Sequence, residues 1–128
     1  MTAGRGTILV VDDDSVLRRL LATVLKLRGF EVLTAEDGND AINVIDSRRG
    51  RVDLVLADIL MPMADGWDVL RAVRNNHPQV PVIMLTILEE AKTTTKKAEA
   101  MGAAACLFKP IDPVTLMSSV EGVLGKSA

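Results

Sequence analysis

Apolar residues along this chain follow two alternating rhythms. Five short runs, Thr7 to Val11 (TILVV), Glu31 to Ala35 (EVLTA), Val52 to Asp58 (VDLVLAD), Val80 to Thr86 (VPVIMLT) and Ala104 to Lys109 (AACLFK), have strand length and a β-branched share. The nearly continuous apolar character of several of them predicts strands buried on both faces. Between the runs, apolar residues recur at helical spacing. Val16, Leu17, Leu20, Leu21, Val24, Leu25 and Leu27 form a first helix that Gly29 stops. Ala41, Ile42, Val44 and Ile45 form a second, after an Asp37-Gly38 turn and before the polar loop Ser47 to Arg51. A third spans Trp67 to Asn76 and ends before His77-Pro78, because a residue preceding proline is pushed out of the α region. A fourth, Glu89 to Met101, carries Thr93, Thr94 and Thr95 in its middle and is the weakest by propensity. Asp112-Pro113 opens the last, through Leu116, Met117, Val120 and Leu124, with Gly125 to Ala128 as a tail.

Five strand-helix alternations joined by short loops imply an α/β fold with a parallel sheet covered on both faces. At 128 residues the expectation is one domain over 1–128, with a core of about 7–124. Composition narrows the function classes. Phe30, Trp67 and Phe108 are the three aromatic residues, too few for a base-stacking surface, and the formal charge of −2 gives no general attraction to nucleic acid or anionic membranes. The single Cys106 leaves no internal disulfide and no cysteine zinc site. No stretch has the length of a membrane span and the start, MTAGRGT, has no apolar leader segment, so the expected location is cytoplasmic.

The candidate chemistry lies at the strand ends. In a parallel sheet all carboxyl ends share one edge, which would gather Asp12 and Asp13 from the first strand, Asp58 from the third, Thr86 from the fourth and Lys109 from the fifth. Three carboxylates and one lysine sum to −3 + 1 = −2, which one divalent cation neutralises. Carboxylate oxygens without His or Cys favour a hard ion, and Mg²⁺ suits a site with few protein ligands. One carboxylate could then act as a nucleophile toward phosphorus, with the threonine hydroxyl available to the product. Asp14 is assigned to capping the first helix.

The strand-end acids in ILVVDDD, the DILMPMADG loop, the MLT strand end and the Lys109-Pro110 pair, four motifs in this order from Thr7 to about Leu124, resemble the receiver domain of two-component response regulators. The resemblance implies a flavodoxin-like, doubly wound five-stranded sheet of order 2-1-3-4-5 with five helices. It makes Asp58 the phosphoacceptor for a histidine kinase or phosphotransfer protein. Asp12, Asp13, Asp58 and the Leu60 carbonyl become the Mg²⁺ ligands, Thr86 and Lys109 the groups that follow the phosphoryl group, and Lys109-Pro110 a cis peptide. It further implies a signalling protein, not an enzyme, that acts through a downstream protein or output domain. Direct contact with nucleic acid or membrane is not expected, and the chain would be a monomer or a phosphorylation-dependent dimer. Two positions depart from the pattern. Cys106 stands where Tyr or Phe is usual, and Ile87 where a small residue usually follows the switch Thr. If Ile87 overhangs Asp58, autodephosphorylation is slow.

Two other readings use similar atoms: a pseudo-receiver scaffold that is never phosphorylated, and a Mg²⁺-dependent aspartyl phosphohydrolase, for which no substrate-pocket motif is evident. Elsewhere the plain reading prevails. His77 is expected at the surface, Met61, Met63 and Met84 in packing or loop contacts, and Arg48, Arg49 and Arg51 in a solvated loop. Lys92, Lys96 and Lys97 suit an exposed helix face.

Overall fold

A computed structural model describes residues 4–61, 63–87 and 91–127. Strands and helices alternate as β1 (Thr7–Val11), α1 (Ser15–Leu27), β2 (Glu31–Ala35), α2 (Gly38–Ser47), β3 (Leu54–Asp58), α3 (Gly66–Asn76), β4 (Val82–Ile87), α4 (Ala91–Ala100), β5 (Ala105–Lys109) and α5 (Pro113–Ser127). All strand pairs are parallel and the sheet order is β2-β1-β3-β4-β5. Doubly wound order and element count are as the resemblance implies.

The two-residue pleat sorts the core. Leu9, Val11, Val55, Ala57, Val82 and Met84 face α2, α3 and α4, where they meet Ala41, Ile45, Val69, Leu70, Val73 and Ala98. Ile8, Val10, Leu54, Leu56, Ile83, Leu85 and Leu107 face the other way, onto Leu21 and Leu25 of α1 and Leu116, Met117 and Val120 of α5. β3, the central strand, is buried at all five positions.

Several boundaries differ from expectation. β3 begins at Leu54: the Asp53 N–H still donates to the Thr7 carbonyl at 2.8 Å, but it is the Asp53 carboxylate, not a strand carbonyl, that accepts the Thr7 N–H at 2.7 Å. β4 starts at Val82, after Pro81, which has no amide to donate. α2 already begins at Gly38, capped by Asp37, whose carboxylate accepts from the Asp40 N–H. α5 continues through Ser127, so the expected tail at Gly125 is helical. The expected start of the fourth helix at Glu89 lies outside the described residues, as does Pro62 of the loop after β3. Asp14 caps α1 through the N–H groups of Val16 and Leu17, and Asp112 receives the Thr115 N–H at 3.0 Å. His77 is not a free surface residue: its side chain keeps 16% of its exposure and Nε2 lies 2.8 Å from Asp46 Oδ1.

Candidate functional site

Continuing the pleat past the last strand residues explains which side chains meet. Asp12 follows Val10 by two positions, Asp58 follows Leu56 and Lys109 follows Leu107, so all three extend the sheet face that carries α1 and α5. Lys109 Nζ lies 3.1 Å from Asp58 Oδ1 and 3.2 Å from Asp12 Oδ2. Asp12 is fully buried, Asp58 nearly so and Asp13 exposed. One oxygen from each of these three carboxylates falls within 4.8 Å of the others, a spacing that could hold a metal ion.

The donor set fits such an ion. Asp12 Oδ1 accepts the Asp14 N–H at 2.9 Å, while Asp12 Oδ2 is buried with no hydrogen-bond partner. Its ion pair with Lys109 Nζ at 3.2 Å leaves lone pairs for a cation. All the donors are hard carboxylate oxygens.

Burial raises the Asp58 carboxyl, the Asp12 charge raises it further, and the Lys109 ammonium pulls it part of the way back. The balance moves it from 3.8 to about 6. For Lys109, burial disfavours the charge, but the Asp58 and Asp12 carboxylates outweigh it and hold the ammonium above the ordinary lysine value. At neutral pH the site therefore holds an ionised but poorly solvated carboxylate against a lysine cation, two groups that act as nucleophile and charge stabiliser in acyl or phosphoryl chemistry.

The loop after β3 is drawn tightly to the sheet. Gly66 opens α3 against the Asp58 carbonyl, with which any Cβ would collide, and its N–H donates to the Ile59 carbonyl at 3.0 Å. Asp65 and Asp68 form a reciprocal capping box at the same point. The Lys109-Pro110 peptide is cis.

Thr86 lies apart from the acids. It belongs to the pleat face of Val82 and Met84, is buried, and makes no hydrogen bond to the acidic cluster among the described residues. With Ile87, Leu60, Trp67, Thr94 and Lys97 it lines a cavity of about 420 Å³ under α4, across which Lys97 Nζ sits 4.3 Å from the Trp67 ring centre. Ile87 is 45% exposed, shares the pleat side of Leu85 and pairs with Lys109 in register. Leu60 is exposed. Cys106 is half-buried beside the core, its thiol pushed up by burial against the opposing effect of a Thr95 hydrogen bond. Sequence reasoning missed Arg18, whose Nη1 donates to the Asp12 carbonyl at 2.7 Å. Its spacing of four from Asp14 was the available signal, but Arg19 beside it carries the same side chain.

Known proteins share this fold and sequence pattern. The response regulator receiver domain model matches residues 8–121. The transcriptional regulatory protein CpxR of Escherichia coli (strain K12) is 38% identical over 120 residues, covering 94% of this chain and 50% of its own length. The chain thus spans about half the length of the curated relatives it matches. A receiver domain protein from Clostridium thermocellum superposes with a TM-score of 0.88 at 28% identity, covering 94% of this chain and 95% of its own. The chemotaxis protein CheY4 of Vibrio cholerae gives 0.83 at 31%, covering 92% and 98%.

Proposed function

Because this chain belongs to the receiver domains of two-component response regulators, we propose that Asp58 is its phosphoacceptor and that residues 8–121 form one receiver unit within a core of about 7–124. Receiver domains are signalling domains, not generally classed as enzymes, and the family receives phosphate from histidine kinases and acts through output domains. The single observation that carries the assignment is the Asp58 carboxylate, buried at the sheet edge, raised to about 6 and held 3.1 Å from Lys109.

Asp58 is ionised at neutral pH, and its raised pKa marks a carboxylate stripped of water and correspondingly basic. An Asp58 oxygen attacks the phosphorus of a phosphohistidine; the new O–P bond forms as the P–N bond breaks and the imidazole leaves. Lys109 neutralises the developing oxyanion. Asp12, Asp13, Asp58 and the Leu60 carbonyl would hold Mg²⁺, which when bound would supply charge neutralisation of the phosphoryl oxygens. The new dianion then draws Lys109 and the Thr86 hydroxyl toward it, and the cavity under α4 is the space vacated or filled as Thr86 moves. Protein contact, not DNA contact, is assigned to this unit, in line with its formal charge of −2. A transcriptional output like that in the name of CpxR would belong to another domain. Among the described residues no helix is long and apolar enough to cross a membrane.

Incubation with Mg²⁺ and acetyl phosphate, or with a phosphorylated kinase, is expected to add one phosphoryl group by intact mass to the wild type and none to Asp58→Asn. Modification of both proteins, or of neither, contradicts the assignment.

A further inference from the structure

Arg18 sits in the first turn of α1, where a cation faces the positive end of the helix dipole and gains nothing from it. Arg19 beside it is exposed, whereas the Arg18 side chain keeps only 17% of its exposure. Fixing so long a side chain forfeits its rotamer freedom, so its partners have to hold it. Helical side chains lean toward the N-terminus, and this one carries its guanidinium back over the β1–α1 turn. Nη1 donates to the Asp12 carbonyl at 2.7 Å, and Nη2 stands 3.9 Å from Glu36 Oε1 in the β2–α2 connection.

Three of the four polar atoms of Asp12 are thereby tied down. Its N–H donates to the Ala35 carbonyl at 3.2 Å, Oδ1 accepts from the Asp14 N–H at 2.9 Å, and its carbonyl accepts from Arg18. The fourth, Oδ2, is buried without a hydrogen-bond partner. We infer that Arg18 is a positioning residue for the cation site: by anchoring the Asp12 carbonyl it fixes the acidic turn, so that Asp12 meets Mg²⁺ without rearranging. The inference rests on the Mg²⁺ reading of the preceding section.

The sign of one measurement separates this role from bulk electrostatics. By Coulomb's law alone, removing a nearby cation strengthens the binding of another cation. Losing a hydrogen bond that orients a ligand weakens it, typically by about 10–100-fold. Titration calorimetry of the full chain with MgCl₂ is expected to show Arg18→Met binding about tenfold more weakly than wild type. Arg18→Lys, which keeps the charge and a donor, is expected within about threefold. Melting of the metal-free proteins is the companion readout. A purely structural role lowers the melting temperature and leaves the affinity unchanged, and that result overturns the inference, as does equal or tighter Mg²⁺ binding by Arg18→Met. Should methionine prevent folding, Arg18→Gln is judged by the same criterion. A wild type that binds no Mg²⁺ overturns the cation reading and the inference with it, whereas wild-type binding matched by Arg18→Met overturns the inference alone.

Discussion

Asp58 carries a measurable cost of its placement. Its folded pKa of about 6 lies above the ordinary 3.8, so between those values the native state binds more protons than the unfolded chain, and stability falls as pH rises through that window. Holding the carboxyl at about 6 in place of 3.8 corresponds to at most about 3 kcal/mol. In metal-free buffer, denaturant titrations are expected to show wild type losing stability relative to Asp58→Asn between pH 4 and 7 by up to about 3 kcal/mol; a flat difference over that range contradicts the buried-carboxylate account. The same residue makes the site cation-seeking, since Lys109 is the single basic side chain paired with the Asp12 and Asp58 carboxylates among the described residues. We propose that Ile87 acts on the lifetime of the phosphorylated product. It shares the pleat side of Leu85 and pairs in register with Lys109, at the edge where Asp58 ends β3, a position from which a branched side chain would obstruct attacking water. Following the decay of the phosphorylated protein, Ile87→Ala is expected to lose phosphate about three- to tenfold faster, equivalent to about 1 kcal/mol of barrier. An unchanged rate assigns Ile87 to the cavity wall alone.

At the scale of elements, α4 is the loosest of the cover. Lys92, Thr93, Lys96, Lys97 and Glu99 are exposed and Ala98 is its one buried side chain among the described residues, whereas α1 buries Leu21, Ala22 and Leu25. Three consecutive threonines add a propensity penalty of a few tenths of a kcal/mol each. Amide exchange is expected to show α4 protected about tenfold less than α1 or weaker still; equal protection contradicts this ranking of the helices. The strands, α1 and α3 were legible in the sequence because runs such as TILVV and the Val69, Leu70, Val73 spacing have one periodicity each, and Asp14, Asp112 and Pro78 mark ends by local chemistry. Two of the ends that shifted involve partners distant in sequence. Asp53 is claimed by Thr7, and Gly38 is held by the Ala64 carbonyl, to which its N–H donates at 3.0 Å. The pairing of His77 with Asp46 was illegible for the same reason, since Asp46 belongs to α2.

For the whole molecule, parallel topology makes the site almost a consequence of strand order. Once β1, β3 and β5 end on one edge with matching pleat, Asp12, Asp58 and Lys109 have to meet. What strand-end counting could not supply is the second layer, Arg18 reaching Asp12 from α1 and Trp67 reaching Lys97 between α3 and α4, because both depend on side-chain direction in the folded state. The central claim is that the phosphoryl group lands on Asp58 and nowhere else. The most direct measurement is reductive trapping of the acyl phosphate with borohydride after reaction with Mg²⁺ and acetyl phosphate, followed by peptide mapping. The account predicts homoserine at position 58 alone; label at Asp12 or Asp13, or a phosphoryl group on Thr86 or His77, would contradict it.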